Sequence, residues 1–90
     1  MKDDADTETV FNAQICARIK QLREARGWTQ KEVAGWLKIG IERYKKYENR
    51  SVPSAYYMQE LCHLHGVSFE FLIAGISSPK RSGGKRAASR

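Results

Sequence analysis

The stretch QKEVAGWLKIGIERYKKYE, residues 30–48 of this 90-residue chain, gives the clearest indication of its fold. Apolar residues stand at the fourth, eighth, tenth, fifteenth and eighteenth positions of the stretch, among others, and an alanine occupies the fifth. Because positions three or four apart share one face of a helix, this spacing predicts two short helices joined by residues 38–40. The small side chain of Ala34 would let the second helix pack closely across the first.

The second of these helices has two different sides. At about 100° per residue, Tyr44 and Tyr47 point to the same side, which we expect to face the core. The opposite side is compact and mostly basic and consists of Ile41, Glu42, Lys45 and Lys46. Most exposed helical faces with such charges are simply solvated. A functional interpretation therefore depends on the neighbouring helix.

Helix signals also surround the central stretch. Phe11, Ile15, Ile19 and Leu22 repeat at helical spacing. Thr29 and Glu32 match a capping box at the start of the next helix. Serines and glycines at suitable positions predict further helix starts and ends: Ser54 and Ser68 as starts, and Gly27, Gly66 and Gly75 as ends. Five helices with short loops are thus predicted between residues 9 and 75.

Charge is distributed unevenly along the chain, whose net charge is +6. Residues 1–10 hold four acids and one base, residues 76–90 hold five bases and no acid, and the middle holds ten bases and six acids. We expect an acidic disordered arm over residues 1–10, a folded domain over residues 11–75 and a basic disordered tail over residues 76–90. A domain of this size is too small for a deep catalytic cleft.

No pattern of residues indicates catalysis or metal binding. Cys62 and His65 share a helical face, but no C-x-x-C pair or fourth ligand accompanies them, so we expect a core cysteine and a partly exposed histidine. Trp36 should pack at the edge of the core. We expect a soluble cytoplasmic protein with free thiols, no enzymatic activity, no metal, no cofactor, no small-molecule ligand and no membrane contact.

Residues 15–75 resemble the Cro and phage-repressor (XRE) family of helix-turn-helix DNA-binding domains, through the stretch quoted above and the helices around it. The resemblance implies an all-α, five-helix, lambda-repressor-like fold whose third helix, predicted at residues 41–48, lies in the major groove. It also implies a bacterial or phage-encoded, nucleoid-associated transcriptional regulator, expected to be a repressor. Such a protein binds double-stranded DNA at a two-fold operator as a homodimer.

The resemblance assigns roles to individual residues. Lysine can donate to guanine, glutamate can accept from cytosine, and isoleucine can contact a thymine methyl group. The base-facing positions are Ile41, Glu42, Lys45 and Lys46. The positions that would contact DNA phosphates are Gln30, Arg43, Asn49 and Arg50. Arg23 is expected to form a structural pair with Glu48.

The turn between the two central helices departs from the family pattern. The position that usually holds glycine is Lys38, and Gly40 follows two places later. Because a lysine in left-handed geometry costs about 1 kcal/mol, we expect a turn rebuilt around Gly40. Tyr44 replaces a usual aliphatic residue and needs a partner for its hydroxyl if it is buried.

Two further questions stay open from the sequence. The same fold could serve as a protein-interaction module, antitoxin-like or anti-repressor-like, which would bind DNA without sequence preference. The basic tail could add phosphate affinity or only solubilise the chain. The expected dimer surface is the last helix, with Phe69 and Ile73.

Overall fold

The computed structural model describes the backbone of residues 3–76 and the side chains of residues 7–76. This part of the chain holds five helices and no strand, which confirms the predicted all-α helix-turn-helix fold. The helices are α1 (Asp3–Arg26), α2 (Gln30–Leu37), α3 (Ile41–Asn49), α4 (Ala55–His65) and α5 (Phe69–Ala74). Apart from Ile76, the basic tail predicted over residues 76–90 lies outside the described residues.

The first helix begins earlier than the sequence suggested. A disordered arm was expected over residues 1–10, whereas residues 3–10 are the opening turns of α1. The sequence places four acids in these turns, at positions 3, 4, 6 and 8. Negative charges near a helix amino terminus favour the helix because they oppose its macrodipole.

Side-chain caps define the starts of three later helices, as predicted. The Thr29 hydroxyl accepts from the Glu32 backbone N–H at 3.0 Å, and the Glu32 carboxylate accepts from the Thr29 backbone N–H at 2.8 Å. This reciprocal capping box fixes the start of α2. Ser54 and Ser68 cap α4 and α5 in the simpler way, through one hydroxyl each.

The turn between α2 and α3 corrects one sequence prediction. Lys38 itself adopts the left-handed conformation (φ 62°, ψ 42°), while Gly40 is extended (φ −69°, ψ 152°) and caps α3. The turn is therefore not rebuilt around Gly40. The Lys38 N–H bonds the Gly35 carbonyl at 3.1 Å and the Ile39 N–H bonds the Ala34 carbonyl at 3.0 Å, the paired hydrogen bonds of a Schellman motif.

The hydrophobic core covers one side of α3. Side chains from all five helices form it, and its most deeply buried members are Ile15, Ile19, Val33, Tyr44, Leu61 and Leu72. Helix α3 packs against both α1 and α2, while α5 packs against α1 and α4. One side of α3 is thereby covered by protein and the other side is left to solvent.

Candidate nucleic-acid interface

The covered side of α3 carries the two tyrosines and one acid. Tyr44 is fully buried and Tyr47 is 6% exposed, which confirms the predicted orientation of both rings. Their rings meet nearly edge-on, with centroids 6.4 Å apart. Glu48 is also buried, at 4% exposure. These three residues anchor one side of the helix in the core.

The outer side of α3 presents charged groups. Glu42 and Lys46 are exposed and Lys45 is partly exposed. The Lys45 ammonium lies 3.6 Å from a Glu42 carboxylate oxygen, in a pair whose side chains are 45% and 82% exposed. Ile41 differs from the other predicted base-facing residues because part of its side chain packs against the core. The outer face of α3 is thus Glu42, Lys45 and Lys46, with Ile41 at its margin.

An ion pair joins α1 to α3. Arg23 donates through Nε to one Glu48 oxygen at 2.6 Å and through Nη2 to the other at 3.2 Å. The Glu48 carboxylate is fully buried and the Arg23 side chain is 13% exposed. The structure therefore brings the two residues together in a two-point contact, a geometry typical of strong arginine–carboxylate pairs.

The environment of Glu48 shifts the pKa values of its neighbourhood. Burial alone would raise the pKa of Glu48, but the hydrogen bonds from Arg23 and Gln30 outweigh burial and lower it. Burial, reinforced by the nearby Glu48 carboxylate, raises the pKa of Tyr44. The Tyr44 hydroxyl lies beside this carboxylate without a hydrogen bond of standard geometry. Both groups therefore keep their ordinary charge state at neutral pH.

Gln30 opens α2 beside this ion pair. Its side-chain amide donates to Glu48 at 3.1 Å, so it takes part in the network between α1 and α3. An amide nitrogen carries two N–H groups, and the side chain is only partly buried. The second N–H can therefore still be offered to a ligand near the start of α2.

The other predicted phosphate contacts lie at or beyond the end of α3, or face α4. Asn49 donates from its side chain to the Lys45 carbonyl at 3.0 Å, which uses one of its N–H groups inside the protein. Arg50 follows the helix and is exposed. Arg43 donates from Nε to the Tyr47 hydroxyl at 3.0 Å, and its guanidinium lies over the Tyr57 ring. The position of Arg43 against α4 was not evident from the sequence.

A cluster of aromatic rings lies near the start of α2. The Trp28 and His65 rings are 5.4 Å apart, and the Arg26 guanidinium lies 5.1 Å from the Trp28 centroid. His65 is 4% exposed, so the expected partly exposed histidine is wrong: the Trp28 ring covers it. Burial, with a smaller effect of Arg26, lowers the pKa of His65. Trp36 is half-exposed and packs against Trp28 at a ring distance of 4.8 Å, which places it at the edge of the core, as expected.

No group of three or more histidine, cysteine, aspartate or glutamate side chains among the described residues is arranged to hold a metal ion. No helix within residues 3–76 has the length and apolar character needed to cross a membrane.

Comparison with known protein families matches residues 17–78 to the family described as "Helix-turn-helix domain". The chain belongs to this family. In this helix-turn-helix domain, the paired helices are α2 and α3, and Lys38 is in the turn between them. No solved structure matches the chain at a significant level.

Two curated relatives match the helix-turn-helix domain. One is the "SPbeta prophage-derived uncharacterized HTH-type transcriptional regulator YonR" of Bacillus subtilis (strain 168), 34% identical over 59 residues that cover 64% of this chain and 55% of the relative. The other is the "HTH-type transcriptional regulator DdrOP3" of Deinococcus deserti, 30% identical over 63 residues that cover 69% of this chain and 49% of the relative. This chain thus spans about half the length of the curated relatives it matches.

Proposed function

We propose that this helix-turn-helix domain is a sequence-specific DNA-binding transcriptional regulator that inserts α3 into the major groove. The observation that carries the proposal is the asymmetry of α3, which buries Tyr44, Tyr47 and Glu48 on one side and exposes a charged face on the other. A helix held rigidly in this way fits the width of the major groove. The names of both relatives, which describe them as transcriptional regulators, support the proposal.

Sequence would be read by the outer face of α3. Lys46 and Lys45 would donate to guanine, and Glu42 would accept from the exocyclic amine of cytosine. The 3.6 Å contact between Lys45 and Glu42 is long and exposed, so either group is free to exchange it for a base. Ile41, at the margin of the face, would contact a thymine methyl group.

The DNA backbone would be held by groups that flank this face. Gln30 would offer its second amide N–H to a phosphate at the start of α2. Asn49 and Arg50 would contact phosphates near the end of α3, and Arg43 would contact one beside α4. Such contacts set the register of the protein on DNA without reading its sequence.

Regulation would follow from occupation of an operator in the cytoplasm, most simply as repression. We propose that a homodimer binds two half-sites about one helical turn apart. The proposed dimer surface is the apolar groove between α4 and α5, with a volume of about 480 Å³, where Met58, Phe69 and Ile73 line the wall. Phe69, at 46% exposure, adds apolar surface to this groove.

Selection of bound duplexes from a randomised DNA library tests this function. At about 150 mM salt, non-specific attraction to phosphates is already weakened. We expect enrichment of a two-fold sequence motif, whose spacing would give the distance between half-sites. Binding without enrichment would contradict a sequence-reading function.

The same α4–α5 groove favours a second candidate, the protein-interaction module. Its lining is almost entirely apolar, and apolar surface of this kind is common at protein interfaces. In that case the library would yield no enriched motif, and DNA binding would depend steeply on salt. Lys46→Ala would then weaken binding to every duplex equally.

A further inference from the structure

A cluster of one arginine and three tyrosines lies where α3 meets α4. The Arg43 guanidinium carbon is 5.0 Å from the centroid of the Tyr57 ring. The Arg43 Nε donates to the Tyr47 hydroxyl at 3.0 Å. Tyr57 in turn lies 6.1 Å from the Tyr47 ring and meets the exposed Tyr56 edge-on at 4.9 Å. One face and one edge of a single guanidinium are therefore held in place.

The outward edge of Arg43 remains available. A guanidinium has five N–H donors, of which the Tyr47 contact uses one. None of the carboxylates described in residues 7–76 forms an ion pair with Arg43, and the residue is exposed. The two Nη groups together form the planar fork that matches two oxygens of a phosphate.

Restraint of this arginine has an energetic consequence for binding. A free surface arginine loses rotamer freedom when it is fixed on a ligand, and this loss weakens the complex. In this chain Tyr47 and Tyr57 already restrict Arg43 before any ligand arrives. Part of the ordering is therefore complete in the unbound protein.

We propose that Arg43 is a pre-organised binding group for a phosphate of the DNA backbone. Tyr47 and Tyr57 are positioning residues that hold the guanidinium so that its two Nη groups point outward. This Arg43 clamp, defined as Arg43, Tyr47 and Tyr57, rests on the proposed function. Arg43 contacts DNA in it, whereas the tyrosines act only through Arg43. Because a phosphate carries no sequence information, the clamp strengthens binding to all duplexes alike. The competing interpretation is a purely structural link between α3 and α4.

The salt dependence of binding tests whether Arg43 contacts a phosphate. Binding constants of the full chain are measured for one duplex between roughly 50 and 200 mM salt. Arg43→Gln should lower the slope of log affinity against log salt by about one, the loss of one phosphate contact. Lys20→Gln removes an equal charge from the exposed surface of α1 and should leave the slope unchanged. An unchanged slope in Arg43→Gln overturns the clamp.

A double-mutant cycle tests the two positioning residues. Tyr57→Leu and Tyr47→Phe keep the charge of Arg43 but remove the ring face or the hydroxyl, and each should weaken binding by about 2- to 10-fold. In an Arg43→Gln background the same changes should have no further effect. Tyr57→Phe keeps the ring and should bind like the unmodified chain. Equal losses in both backgrounds would establish a merely structural role and overturn the proposal.

Failure of the clamp is distinguishable from failure of the proposed function. The duplex is the enriched one, or one of arbitrary sequence if none is enriched, so the salt slope is measured in either case. Absence of enrichment with a reduced slope in Arg43→Gln would contradict sequence reading and retain the clamp. Enrichment with an unchanged slope in Arg43→Gln would support sequence reading and overturn the clamp. Absence of binding to any duplex would overturn both sequence reading and the clamp. Circular dichroism melting of each variant confirms that it is folded.

Discussion

The two sides of α3 hold their acidic residues in opposite ways. On the covered side, Glu48 accepts three hydrogen bonds, two from Arg23 and one from Gln30. On the outer side, Glu42 has one ion pair at 3.6 Å with Lys45, and its side chain is 82% exposed. Within a single nine-residue helix, one carboxylate is committed to the fold and the other is available to a ligand. Stability and recognition should therefore be separable by mutation.

The largest expected effect comes from the covered side. Arg23→Ala leaves the Glu48 carboxylate buried without its cation, and such changes typically lower the free energy of unfolding by about 3–5 kcal/mol. Chemical denaturation would measure the loss. Lys45→Ala is the matched control, because it breaks the exposed pair and should cost less than about 1 kcal/mol. Similar losses of unfolding free energy in Arg23→Ala and Lys45→Ala would contradict the proposed difference between the covered and outer sides of α3.

On the outer side, the effect should fall on recognition instead. Lys46→Ala and Glu42→Ala should each reduce discrimination between the preferred duplex and one changed at a single base pair, by about 1–3 kcal/mol. Their free energies of unfolding should stay within about 0.5 kcal/mol of the unmodified chain. Competition binding with base-substituted duplexes provides the measurement. Retained sequence preference in a folded variant would contradict the assignment of α3 as the reading helix.

The turn that precedes α3 should affect stability by a smaller amount. Lys38 is left-handed, so Lys38→Gly should raise the free energy of unfolding by about 1 kcal/mol, the cost of that conformation for a residue with a side chain. Gly40→Ala is the control, because Gly40 has negative φ and no heavy atom within 4 Å of an added Cβ. It should not stabilise the fold, because alanine is a poorer N-cap residue than glycine. A destabilised Lys38→Gly would mean that the lysine side chain has a structural role.

The smallest expected effect on stability near neutral pH comes from His65, a buried base, whereas Glu48 is a buried acid. His65 is buried with both ring nitrogens unbonded, and its pKa is lowered. The unfolded chain therefore binds a proton at His65 more readily than the folded chain does. The contribution of neutral His65 to the free energy of unfolding is fully present above about pH 6.5 and declines as the pH falls below it. Urea denaturation across this range should detect the decline. His65→Leu should reduce it, whereas His63→Gln, on the exposed side of α4, should not.

Local signals in the sequence were sufficient for much of the fold. The Thr29 capping box depends on residues three apart, and the orientation of Tyr44 and Tyr47 depends on helical periodicity alone. Such features need no knowledge of the rest of the chain. Arg23 and Glu48, 25 residues apart, could be proposed as a pair only through resemblance to a family.

Features that depend on tertiary contacts could not be predicted in this way. The intrinsic cost of left-handed Lys38 is offset in the fold by two hydrogen bonds and by packing of Ile39 against the core. His65 is covered by Trp28, which is remote in sequence. Arg43 meets Tyr57 across the boundary between α3 and α4. For His65 and Arg43 a distant residue decides the outcome, and no local pattern identifies it.

The hydrogen bond from Gln30 to Glu48 would affect the kinetics of association in the proposed complex. It ties the start of α2 to the end of α3, and Arg23 extends the same network to α1. In the proposed complex with DNA, three helices would therefore approach as a single rigid body, without an internal rearrangement between encounter and docking. Rigid partners with complementary charge associate faster than partners that must first change shape. Lifetime on a given duplex, rather than speed of capture, would then distinguish one binding site from another.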